Sequence, residues 1–324
     1  MAEGDSEWET LVWGLENILA EYGISVAVHG AFEEAALTLT ELEEFRKNPM
    51  ACDCSADPRE KWRRAMSLAD LAEKVLLART HSDFGALIPH LRLLGGLADL
   101  SQFSTTLKEN QDNNKVFELY VAAMALHALT QCTVDHPEES DGTNPDVMGR
   151  FNGRTWAIAC KAMHSTNPKT FCERVREGVD QIEASAAERG LVVVNMKNTF
   201  DHDALWPAKI IDGNYHLGGL RSVAHARELL LPIYQTLQAG VFEVYGSERS
   251  FYEHLFKGKK AASYVLLIFS TVCGFPGPAF MPVKTINCLC HGHDAEAEQL
   301  AEQLNMALHN KPHDPVVHGE EQPG

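Results

Sequence analysis

No run of about 18 apolar residues occurs in the 324-residue chain, so no stretch has the length of a membrane-spanning helix. Basic residues are scarce. The chain has 28 Lys and Arg against 45 Asp and Glu, a formal net charge of −17, which opposes a general affinity for nucleic acid, whose phosphates are neutralised by Lys and Arg. The first residues form neither a basic n-region nor an apolar h-region, so no secretory signal is expected. The eight cysteines, at 52, 54, 132, 160, 172, 273, 288 and 290, are scattered, and reduced thiols in a cytoplasmic protein are expected. There is no Gly-rich phosphate loop, no Gly-x-Ser-x-Gly and no internal repeat. If ATP takes part in the biology, another chain supplies it.

The sequence has 45% hydrophobic and 23% charged residues, the balance of a globular fold. Apolar positions recur at helical spacing over 6–22, 27–47, 58–79 and 82–95, which predicts an all-helical region over 1–105, expected to serve oligomerisation, partner docking or regulation. It is acidic: residues 1–46 hold eleven Asp or Glu against Arg46 alone. Cys52-Asp-Cys54 reads as a loop, because two ligands do not make a metal site. Residues 113–130 predict a buried helix whose only acid is Glu118. A polar loop, 135–143, follows.

Asn152-Gly153 lies between two β-prone runs, and both positions tolerate the positive φ of a type I′ turn. Folding 144–161 about that turn sets Phe151 opposite Arg154, Val147 opposite Ile158 and Asp146 opposite Ala159. Alternation then sends Trp156, Ile158 and Cys160 to the core. Thr155, Ala157, Ala159 and Lys161 are left on an open face with Asp146. A helix over 167–189 and a β-branched strand, 191–196, complete a βαβ unit. Further strands are expected at 262–272 and 282–289, helices at 219–238, 247–257 and 295–308, and a disordered tail over 311–324. Residues 197–216 show no period and read as a loop, with His202 at the surface. Cys288-Leu-Cys290-His291-Gly-His293 has ligand-type residues, but at alternating strand positions and without a matching second pair, so zinc is not expected.

Pro145-Asp146 followed by Ala159-Cys160-Lys161 resembles the PD-(D/E)XK nuclease superfamily, with alanine where that pattern has its second acid. The resemblance covers 113–196. It implies an α/β fold over 106–310, a restriction-endonuclease-like mixed central sheet flanked by helices, behind the helical region. It also implies Mg²⁺-dependent (or Mn²⁺-dependent) endonucleolytic hydrolysis of DNA. Asp146, position 159 and Glu118 would hold the metal, and Lys161 would orient or deprotonate the attacking water. Arg150, Arg154, Lys169 and the helical Gln181 are the expected nucleic-acid contacts. Residues 147–174 are locally basic, with Arg150, Arg154, Lys161, Lys169 and Arg174 against Glu173.

Alanine offers a hard cation no side-chain oxygen, so the chain as written is expected to cleave little or not at all. Ala159 would be an engineered replacement of glutamate, the mark of a natural dead nuclease that binds nucleic acid or protein, or a sign that the acid has moved to Glu173 or Glu177 on the next helix. An active intracellular nuclease needs restraint, which suggests an effector, for example in antiviral defence, controlled by a partner or by assembly.

Overall fold

The computed structural model describes residues 7–48, 55–106, 111–139, 142–276 and 279–309; Cys52, Cys54 and the tail 311–324 lie outside them. Three amphipathic helices come first: α1 (Glu7–Glu21), α2 (Ala31–Lys47) and α3 (Arg59–Ala78). A 3₁₀ turn, Phe84–Leu87, leads into α4 (Ile88–Leu94), and α5 (Asp112–Ala125) follows. The helix predicted over 113–130 ends early, and the chain enters a strand, β1 (Thr130–Val134), that periodicity did not reveal. Its burial pattern is irregular and a register shift lies between Thr130 and Thr133, so it lacks clean alternation.

The hairpin forms as read. Asn152 and Gly153 take φ of 47° and 80°, joining β2 (Val147–Phe151) to β3 (Arg154–Ala162) with Val147 against Ile158 and Phe151 against Arg154. Then come α6 (Pro168–Ala184), capped by the Asn167 side chain, and β4 (Arg189–Asn195), parallel to β3. Residues 197–216, expected to be irregular, contain a 3₁₀ turn, the short α7 (His202–Leu205), and a small hairpin of β5 (Ala208–Ile211) and β6 (Asn214–Leu217). The chain continues through α8 (Val223–Val244), α9 (Glu248–Phe256), β7 (Ala261–Gly274), β8 (Phe280–Cys290) and α10 (Ala295–Leu308).

The main sheet has the order β1-β2-β3-β4-β7-β8, parallel at its centre (β3, β4, β7) and antiparallel at both sides. A parallel centre is normally covered on both faces, and this one is. Trp156, Ile158, Leu191, Val193, Leu266 and Ile268 pack with α1–α5 and α10, while Ala157, Ala159, Val192, Val194, Leu267 and Phe269 pack with α6, α8 and α9. The face carrying Ala159, expected to be open, is therefore helix-covered.

The helices before residue 105 share the first of these cores with the sheet. Trp8, Phe45, Trp62, Trp206 and Phe280 form one aromatic cluster across the join. Arg59 and Arg63 pair with Asp203 at 3.0 and 2.6 Å, and Lys284 pairs with Asp70.

Candidate functional site

The C-terminal end of β3 gathers the chemistry. Asn144-Pro145-Asp146 leads into β2, and the β2–β3 ladder stops at Val147 and Ile158. One residue beyond, the Asp146 carbonyl still accepts from the Asp135 N–H at 2.9 Å, continuing the pairing with β1. Toward β3 its side chain takes over: Asp146 Oδ2 accepts the Cys160 backbone N–H at 2.6 Å. The carboxylate thus binds the main chain of β3 where the sequence set it across from Ala159.

Glu118 arrives from α5, near enough to Asp146 for their charges to interact. Its Oε2 sits 3.2 Å from His90 Nε2, and Lys115 Nζ donates to Oε1 at 3.1 Å and Oε2 at 2.9 Å. Burial alone would raise the Glu118 pKa, but the His90 hydrogen bond and the Lys115 charge outweigh it and hold the group below the ordinary carboxylate range. Asp146 shows the opposite balance. Burial and then the Glu118 charge push it up to about 7, against the Cys160 N–H, Lys161 and Lys115. Two carboxylates close enough to repel, flanked by two lysines, are therefore assembled from α5, β2 and β3.

Lys161 lies two residues beyond Ala159 and turns toward α6. Its Nζ donates to Gln181 Oε1 at 2.5 Å, and Gln181 Nε2 donates to the Gly142 carbonyl at 2.6 Å. The glutamine is thus fixed at both ends and presents its carbonyl oxygen to the lysine. These groups border a cleft of about 360 Å³ whose wall includes Gln111, Asn114, Glu118, Cys160, Lys161, His164, Arg174, Glu177 and Gln181. Asp146 adjoins the cleft through Cys160 and is not part of that wall.

Ala159 stands apart from this cleft. Its side chain is fully buried in the core beneath α6, and a Cβ placed on Gly178 would lie 3.5 Å from its own and 3.0 Å from Val192 Cγ1. Small residues at 159 and 178 let the helix approach the strand closely, so position 159 offers neither a ligand nor an open face. Glu177 reaches the cleft, where it pairs with Arg174 at 2.7 Å, whereas Glu173 is exposed and outside the wall.

The expected nucleic-acid contacts divide in the same way. Gln181 is in the cleft. Arg150 donates to the Gly153 carbonyl and Arg154 pairs with Glu296, both at the turn end of the hairpin. Along β3 that is seven residues from Lys161, about 23 Å at the rise of an extended strand. Lys169 is exposed on the first turn of α6 and does not line the cleft.

His90 and Lys115 belong to the neighbourhood without having been singled out, and Arg174 had been named only as part of the locally basic stretch. Lys115 precedes Glu118 by three residues, a spacing that sets the two side chains on one helix face. His90 is brought in from α4 by tertiary packing alone. His202, expected at the surface, is buried, with Nδ1 2.7 Å from Thr271 Oγ1 and Nε2 2.7 Å from the Lys197 carbonyl.

No group of three or more His, Cys, Asp or Glu among the described residues is arranged to hold a metal ion. Asp146 and Glu118 alone still fit Mg²⁺ chemically, since that ion takes one or two carboxylates and completes its shell with water and phosphate oxygens. The local fit requires Lys115 to yield at least one Glu118 oxygen. No family model matches this chain, and no curated protein or solved structure matches it.

Proposed function

We propose that the chain is a restriction-endonuclease-like domain of the PD-(D/E)XK kind, hydrolysing DNA phosphodiesters with Mg²⁺ or Mn²⁺. The observation that carries this reading is convergence: Glu118, Asp146 and Lys161 meet at one end of β3, with Lys161 anchored to Gln181. Asp146 and Glu118 would hold the cation, which would supply polarisation of a phosphoryl oxygen and acidification of a water. Lys161 Nζ, steered by Gln181, donates toward the phosphoryl oxygens or orients the attacking water. Arg174 and His164 in the cleft wall add donors for phosphate oxygens.

Ala159 supports a natural alanine over an engineered one, because it is part of the close contact between β3 and α6. Of the two acids weighed as replacements, Glu177 is the one in the cleft wall, and on this reading it stands in for the absent acid, so that cleavage is expected in place of the inactivity first expected of a chain with Ala159.

The test is cleavage of supercoiled, linear and single-stranded DNA by the full chain with Mg²⁺ or Mn²⁺. Metal-dependent nicking that Lys161→Ala and Asp146→Asn both abolish is the expected result, and no cleavage of any substrate refutes it. A binding-only module is the second reading, favoured by Ala159 and by the engagement of both Glu118 oxygens with Lys115. Calorimetric titration with Mg²⁺ separates the two readings, since a binding-only cleft gives no heat that Asp146→Asn removes. Control by a regulatory protein or by self-assembly fits either reading.

A further inference from the structure

Far from the cleft in sequence, α1 and α2 form a groove of about 350 Å³ lined by Glu9, Thr10, Val12, Trp13, Glu16, Ala36, Leu39 and Thr40. Its floor is apolar: Val12 and Leu39 are buried there. Trp13 stands beside them 63% exposed, whereas Trp62, Trp156 and Trp206 are fully buried. Exposed tryptophan beside an apolar floor is the composition of an interface anchor, because its large surface is desolvated only when a partner covers it.

The groove also has a sign. Glu9 and Glu16 line it and no Lys or Arg does, in a stretch, 1–46, with eleven acids and only Arg46 as a cation. Arg46, Lys61 and Arg79 are engaged with Glu43, Glu41 and Glu21. Acids on the rim repel nucleic acid, and a chain of net charge −17 repels a second copy of itself. A channel between two helices has the shape that receives a third.

We propose that this groove docks a basic amphipathic helix of a partner protein, with its apolar edge on Val12, Trp13 and Leu39 and its cationic side chains against Glu9 and Glu16. The site is separate from the cleft at β3 and stands whether or not that cleft cleaves DNA.

The experiment uses the full chain and a fluorescein-labelled peptide of about five helical turns, with leucine along one face and lysine elsewhere. Anisotropy should show saturable binding. Trp13→Ala and Glu16→Lys should each weaken it by about tenfold or more with the thermal midpoint unchanged, and a scrambled peptide of the same composition should bind equally weakly. Equal affinity for the scrambled peptide, or wild-type affinity in either variant, reduces the effect to net charge and overturns the proposal. So does a concentration-dependent dimer of the chain alone that Trp13→Ala abolishes, which would assign the face to a second copy.

Discussion

At the scale of the residue, position 159 separates a steric role from a ligand role. Placing an acid at this position by Ala159→Glu would force a carboxylate into the contact with Gly178 and Val192, beneath α6. Overpacking of this kind costs about 1–3 kcal/mol before the burial of the charge is added. The variant should therefore unfold at lower urea than the parent and show no gain in cleavage; an unchanged midpoint would mean that the strand and helix have room. His202 supplies a second test. Burial outweighs its hydrogen bond to the Lys197 carbonyl and lowers its pKa from 6.5 to about 4. The neutral ring contributes its full stability above about pH 6.5, and that contribution is lost as pH falls toward about 4, on the order of 3 kcal/mol in all. Urea midpoints measured across this window should fall for the parent chain and vary much less for His202→Gln.

At the scale of the element, the β3–α6–β4 unit depends on glycines that keep its layers close. A Cβ on Gly190 would stand 2.8 Å from the Ala157 carbonyl oxygen and 2.7 Å from Ile182 Cγ2. The first of these is backbone and cannot swing aside. Gly190→Ala should thus destabilise by about 1–3 kcal/mol, measured by denaturant unfolding, although β-strand propensity alone disfavours glycine. Gly153→Ala is a different case: nothing lies within 4 Å, but φ is +80°. Its cost is that of a left-handed backbone, about 1 kcal/mol. Misplacing β3 against α6 would also move Lys161 relative to Gln181, so Gly190→Ala should lower any cleavage by more than its unfolded fraction accounts for.

At the scale of the whole molecule, the acidic helices form part of the sheet's support. α3 lies against α5, and Trp62 meets Trp206 and Phe280 in one aromatic cluster. A chain lacking residues 1–105 would expose the buried faces of Phe117, Tyr120 and Phe280 and leave Asp203 and Lys284 without their ion-pair partners. Exposed apolar area of that extent promotes association. The truncated chain should aggregate or lose its cooperative thermal transition, and a sharp two-state melt comparable to that of the full chain would show instead that the sheet region stands alone.

The hairpin was legible because Asn152-Gly153 is a local signal, and its register followed from counting outward; α6 was legible from apolar periodicity, and β4 and the two long late strands from continuous apolar, β-branched runs. β1 and the burial of His202 were not, because neither has a repeating pattern and each is fixed by neighbours remote in sequence; the β5–β6 hairpin was missed although Asp212-Gly213, with φ of 49° and 81°, is a local turn signal of the same kind. The sequence by itself, through its resemblance to the PD-(D/E)XK superfamily, named Asp146, Lys161, Glu118 and Gln181 as candidates. Only the tertiary structure decided where they sit. It sends Ala159 under α6, turns the Asp146 carboxylate to the Cys160 N–H, removes Arg150 and Arg154 to the far end of β3, and brings His90 to Glu118. The physical reason is that side-chain alternation fixes parity along one strand, whereas the covering of each face depends on helices placed by a core that spans the whole chain.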